Sequence, residues 1–128
     1  MKYGIKPNQS QIVNLPSVTK KEIIIIEIDP ENKTVKQIKL PNSLSFFQKH
    51  CNFYKSLLLQ FEKDSFDHFV VNNDEDSKTR KSFEIKDISK TCYGKSVVVK
   101  IPKSHDYEKL QSTKVTVQTV LDRIVFND

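Results

Sequence analysis

Four consecutive isoleucines, Ile23–Ile26, followed by Glu27 and Ile28, set the strongest constraint on the fold. Each isoleucine is branched at Cβ, which restricts χ1 and favours a pleated strand. The run is too short for a helix and lacks the alternation of a strand with one face in water. Ile23–Ile28 therefore reads as a central strand, buried on both faces. Such a strand needs neighbours. Asp29-Pro30-Glu31-Asn32 supplies a turn, in which Pro30 presets φ and Asn32 tolerates the left-handed region. Thr34–Leu40 then returns as the partner strand, and Pro41 ends it.

Asn42 or Ser43 caps a helix that follows. Leu44, Phe47, Cys51, Tyr54, Leu58 and Phe61 recur at steps of three and four, which carries one helix to about residue 62. The competing pattern stops the helix near Cys51-Asn52 and places Leu57, Leu59 and Phe61 on a strand that turns at Lys63-Asp64-Ser65 into Phe66–Val71. The short helix is preferred, because the second strand needs an antiparallel neighbour. Asn72–Ser82 holds no apolar residue and reads as an exposed loop. Ser82–Ile85 is a short strand. Ser96–Ile101, with Val97, Val98 and Val99, is a clear one, opened by Tyr93-Gly94 and closed by Pro102. Lys103–Ser112 is a polar connector. Residues 115–126 suit a helix face through Val117, Val120, Leu121, Ile124 and Val125, and suit a strand through their Val, Thr and Ile content. Residues 1–20, broken by Pro7 and Pro16, form a polar N-terminal arm. The order predicts one α+β domain over residues 1–128: a mainly antiparallel sheet of about five to six strands with one or two helices on a face.

At 128 residues the chain is long enough to bury a core without metal or disulfide staples. Its two glycines, Gly4 and Gly94, exclude the glycine-rich phosphate loops of the Walker and dinucleotide-binding kinds. Its two cysteines, Cys51 and Cys92, do not make a zinc site unaided and show no bias to an oxidising compartment. The N-terminus has no apolar signal-like stretch, and the longest apolar run is far short of the roughly 20 residues that span a bilayer. A cytoplasmic protein is expected, with no membrane partner.

The strand IIIIEIDP, a partner strand running into LPNSLSFFQK, the hairpin YKSLLLQFEKDSFDHFVVNNDEDSK and the strand YGKSVVV resemble, over about residues 23–101, a family of small uncharacterised α+β domains found in bacteria and their phages. The family is a domain of unknown function, so the resemblance carries no functional residue across. It implies a phage or mobile-element accessory protein.

The net charge of +5 has one source. Lys78 to Lys114 holds ten Lys/Arg and four Asp/Glu, a net of +6, while residues 1–77 carry ten of each sign. A local field of one sign recruits ligands of the other, phosphates above all. Phe83, Tyr93 and Tyr107 lie within this stretch, and aromatic faces stack on bases. The alternative is a solvated lysine coat that guards edge strands. Ligand contact is assigned to Lys78, Arg80, Lys81, Tyr93 and Lys95: lysines for field, Arg80 for a bidentate grip and Tyr93 for stacking beside flexible Gly94.

Other chemistry is thin. His50 and Cys51 are adjacent, so on a helix their side chains diverge, and Cys51 falls on the apolar face as core. His68 and His105 have no evident partner. Asp74-Glu75-Asp76 lacks the alternate spacing and central glycine of a calcium loop. Ser17-Val18-Thr19-Lys20 matches SxxK without its companion motifs. Glu22, Glu27 and Asp29 around the first strand are the remaining candidates for convergence on a catalytic site. No catalytic, metal or cofactor site is assigned. The expected function is a non-enzymatic binding module for an anionic ligand, nucleotide or nucleic acid. The alternative is a protein-interaction or inhibitor module that meets an acidic surface through edge strands, or a homo-oligomer joined through Ile23–Ile28 or through Phe46, Phe53 and Leu57.

Overall fold

A computed structural model describes residues 21–75 and 77–128; the N-terminal arm and the SxxK match lie outside them. The isoleucine run is strand β1 (Glu22–Asp29), paired residue for residue with β2 (Thr34–Pro41), from Glu22 opposite Pro41 to Asp29 opposite Thr34. The turn between them departs from expectation in one detail. Lys33, not Asn32, takes the positive φ, at 54°. Asn32 instead donates from its side-chain and backbone nitrogens to the Asp29 carboxylate, which also accepts from Glu31 N.

Helix α1 (Leu44–Cys51) is the short one, and Asn52 ends it in the left-handed conformation with φ 61°. Ser43 precedes it with extended backbone but does not cap it by its side chain; its hydroxyl donates to Glu108 instead. β3 (Ser56–Gln60) and β4 (Asp67–Asn72) form the expected hairpin. β5 (Ser82–Ile85), β6 (Lys90–Tyr93) and β7 (Ser96–Lys100) follow, and residues 115–126 resolve into both alternatives, helix α2 (Val117–Arg123) and then β8 (Ile124–Phe126). Thr116 caps α2 by accepting from Thr119 N.

Among the described residues these strands make two antiparallel sheets, one of five in the order β2-β1-β7-β4-β3 and one of three in the order β6-β5-β8. The result is the expected α+β class, with a second small sheet where further strands of one sheet were expected. β6 went unread because Lys90-Thr91-Cys92-Tyr93 buries only the small side chain of Cys92 and has no hydrophobic alternation to read. The layers are three. α1 covers one face of the large sheet, packing Phe47 and Cys51 against Ile23, Ile25, Val70, Val97 and Val99. The small sheet and α2 cover the other, where Phe83, Ile85, Cys92, Val120 and Ile124 meet Ile26, Ile28, Phe69, Val71 and Val98. This two-sided covering explains the unbroken isoleucines. Ile25 and Ile26 face opposite layers, and both are fully buried.

Two positions offered for self-association are occupied within the fold. Phe53 is core and Leu57 packs on the small-sheet side, which leaves Phe46 as the exposed member of that trio. Asn72, expected in an exposed loop, is the buried last residue of β4.

A side-chain latch holds α2 to the turn after β5. Arg123 Nε and Nη2 donate to the two Asp87 oxygens at 3.0 and 2.8 Å, and the guanidinium lies 4.6 Å from the Phe61 ring centroid. A forked ion pair at a partly exposed site is worth about 1 kcal/mol and the cation–π contact about as much again. Arg123→Ala is therefore expected to cost about 1–2 kcal/mol in urea unfolding, and Arg123→Lys to recover less than half of it. The hydrogen bonds from Arg123 hold the Asp87 carboxyl below its ordinary range, against the opposing effect of desolvation. A carboxylate depressed in the folded state stabilises above the unfolded value of about 3.9 and loses that contribution as pH falls through the folded one. The difference between wild type and Arg123→Ala is expected to be full at pH 6 and to shrink in strong acid.

Candidate binding cleft

Strand direction gathers one set of polar residues at one end of the large sheet. Side chains alternate along β1, so Glu27 and Asp29 fall on the same face as Ile23 and Ile25, under the C-terminal end of α1. Glu22 lies at the opposite end of the strand and is exposed, so of the three carboxylates named from sequence only Glu27 and Asp29 converge. The start of β7 and the end of β4 reach this same end, since Ile28 pairs with Ser96 and β4 runs antiparallel to β7 up to Asn72.

Here a cleft of about 720 Å³ opens between the β1–β2 turn, the end of α1, the segment before β5 and the β6–β7 turn. Its cations are Arg80, Lys81 and Lys95, and His50 and Asn52 border it from the helix. Asp29, Glu31 and Asp128 also line it. These carboxylates are partly committed. Burial pushes Asp29 up, but the Asn32 and Glu31 hydrogen bonds and the charge of Lys95 outweigh it and hold the carboxyl below the usual range. Asp128 is held low by a hydrogen bond and ion pair with Lys33, 2.6 Å away.

Glu27 organises the cleft from below. Its side chain is 3% exposed. Oε1 lies 3.7 Å from Lys36 Nζ across the β1–β2 ladder, and Oε2 lies 4.0 Å from Lys95 Nζ. The same Oε2 is hydrogen-bonded to His50 Nε2. A carboxylate only accepts, so Nε2 carries the proton, and in the neutral ring Nδ1 is the free acceptor. Nδ1 has no partner among the described residues. One buried carboxylate thus holds an imidazole by a hydrogen bond and attracts an ammonium 4.0 Å away at the cleft.

Gly94 shapes the opposite wall. Its φ is 82°, and its N–H donates to Lys81 O at 2.8 Å, joining the two turns that carry the cations. A Cβ at this position would stand 3.0 Å from Arg80 Cδ and 3.2 Å from Nη1, so the guanidinium rests on bare glycine backbone. The backbone here needs glycine both for its positive φ and for the close approach of Arg80.

Of the five residues assigned to contact from sequence, Arg80, Lys81 and Lys95 line the cleft. Lys78 is exposed in the single turn of 3-10 helix at Ser77–Thr79, whose Thr79 reaches the cleft, and Tyr93 is half-buried opposite Ser82 without lining it. Of the other aromatics in the basic stretch, Phe83 is fully buried core and Tyr107 sits beside the start of α1, where its carbonyl accepts from Leu44 N. The remaining lysines disperse. Lys100 ends β7 away from the cleft, and Lys109 lines a separate recess near Ile23.

Sequence reasoning missed the pairing of His50 with Glu27. The available signal was parity: Glu27 shares a face with two isoleucines, and a carboxylate on a buried face requires a partner. Both cysteines are buried thiols that burial pushes up to about 12, which disfavours the thiolate; Cys51 nevertheless borders the cleft. Asp74 ties its loop down by accepting from Tyr54 N and Lys55 N. Among the described residues no three His, Cys, Asp or Glu gather to hold a metal ion, and no helix is long and apolar enough to cross a membrane.

No family model, curated protein or solved structure matches this chain.

Proposed function

We propose that this protein binds a compact anionic ligand, a nucleotide or a short single-stranded segment of nucleic acid, in the cleft between the β1–β2 turn and Gly94. The observation that carries the proposal is the convergence of Arg80, Lys81 and Lys95 there from separate parts of the chain. Among the described residues neither Arg80 nor Lys81 has a carboxylate within 4.0 Å, although Arg80 is near enough to Asp74, and Lys81 to Asp128, to help lower those carboxyls. The neighbouring carboxylates disfavour a long duplex, whose backbone would pass over them, and a compact phosphate avoids that repulsion. Half-buried Tyr93 and exposed Lys78 do not line the cleft, but each is the chain neighbour of a lining residue, Gly94 and Thr79, and would extend the contact for a ligand longer than one nucleotide.

Fluorescence polarisation with a labelled short oligonucleotide tests this. Affinity should fall linearly on a log–log plot against salt. Arg80→Ala should weaken binding roughly 10- to 100-fold, the worth of about 1.5–3 kcal/mol for hydrogen bonds to a charged group. Lys103→Ala, at the other end of the large sheet, should leave affinity unchanged. Equal effects of the two substitutions would reduce the basic stretch to a solvated coat.

A further inference from the structure

We propose that the same cleft cleaves RNA, with His50 as general base, by attack of a ribose 2′-hydroxyl on the adjacent phosphodiester. The inference rests on the anionic-ligand reading and adds a reaction to it. Three features converge. His50 is held by its Nε2 on buried Glu27, which fixes the ring and leaves Nδ1 as the acceptor, the arrangement in which a carboxylate orients an imidazole base. Lys95 Nζ lies 4.0 Å from the same Glu27 oxygen, so the charge of one carboxylate draws an ammonium to the side of the cleft that holds the imidazole. Arg80 and Lys81 complete a cationic wall that suits the extra negative charge of a five-coordinate phosphorus.

The substrate class follows from what one base and several cations are able to do. Hydrolysis of a phosphodiester by water requires an external nucleophile to be captured and aligned. RNA carries its nucleophile on the ribose carbon next to the one that bears the phosphodiester, which makes the step intramolecular through a five-membered ring. In the reaction, His50 Nδ1 takes the 2′-hydroxyl proton as the O2′–P bond forms. The P–O5′ bond breaks, and the departing O5′ takes a proton from the Lys95 ammonium. The proton on His50 returns to Lys95 through solvent. One bond to phosphorus forms and one breaks, no water is consumed, and the products are a 2′,3′-cyclic phosphate and a 5′-hydroxyl. His50 and Lys95 are therefore catalytic residues, and Glu27 is a positioning residue.

The test uses the full chain with a labelled RNA oligonucleotide in EDTA, beside the same oligonucleotide with every 2′-hydroxyl removed. Wild type is expected to cut the RNA to a cyclic-phosphate end and to bind the deoxy analogue without cutting it. His50→Gln retains a nitrogen that donates to Glu27 and lacks a base. It should lower the cleavage rate at least 100-fold, flatten the rise of rate with pH and change affinity for the deoxy analogue by less than about threefold. Lys103→Ala, purified in parallel, should cut like wild type. Intact RNA with the deoxy analogue still bound would overturn the catalytic proposal alone. Absence of binding to either oligonucleotide would overturn the anionic-ligand reading with it. Cleavage that survives in His50→Gln would assign the activity to another protein in the preparation and overturn the proposal.

Discussion

Phe47→Ala is expected to lower stability by about 3–5 kcal/mol, seen as a fall in the urea midpoint with an unchanged slope. Phe47 is fully buried, and α1 is only eight residues long. Isolated helices below about 12–15 residues are marginal in water, so α1 exists because its one apolar face is packed on the sheet. That face offers Phe47 and Cys51 as its buried residues, and the larger carries most of the contact. The substitution should also reach the cleft. His50 sits in the last turn of the helix, and its bond to Glu27 depends on the helix staying seated. Weaker ligand binding or cleavage by folded Phe47→Ala protein is expected to accompany the loss of stability. A cost below about 1 kcal/mol would mean that α1 is anchored by its flanking segments instead, through Ser43 and Phe53.

How far the sequence revealed this fold depends on whether each signal was local. The isoleucine run, the Pro30 turn and the trivaline strand carry their structure in residue type, and each lies where the pattern predicts. The end of α1 was ambiguous because Leu58 and Phe61 continue the helical spacing by coincidence. Leu58 packs under α1 from a strand, while Phe61 follows that strand and packs on the opposite face. The C-terminal stretch mixed helix and strand signals because it contains both elements in succession. The small sheet was illegible as a sheet, since β5, β6 and β8 have three or four residues each and their pairing joins Phe83 to Phe126 across the whole second half of the domain. The cleft was half legible. Charge counting found Arg80, Lys81 and Lys95 because like charges were clustered in sequence. It could not find His50 and Glu27, separated by 23 residues and joined only once β1 and α1 are stacked.

That buried pair leads to the sharpest separation of stability from function. Glu27→Leu is expected to leave the fold as stable as wild type or more so, while removing the chemistry of the cleft. Taking a carboxylate out of water costs several kcal/mol, and replacing a whole buried ion pair with packed apolar groups is often neutral or stabilising by about 1–4 kcal/mol, whereas removing one partner destabilises only when the other is left buried and unpaired. The groups that lose Glu27 are not stranded. The side chains of His50, Lys36 and Lys95 are 29%, 62% and 39% exposed, and water takes up their hydrogen bonds. A leucine at position 27 would continue the apolar face of Ile23 and Ile25. His50→Ala reverses the balance. It strips the nearest partner from a carboxylate that cannot reach water, and should cost about 1–3 kcal/mol. Urea midpoints of the two variants at neutral pH, compared with wild type, are therefore expected to move in opposite directions or to separate by at least 1 kcal/mol. A large loss in Glu27→Leu would make Glu27 a structural strut. Retained stability with lost binding or cleavage would mark it as a residue held in the core, at a cost to folding, to orient His50 and Lys95.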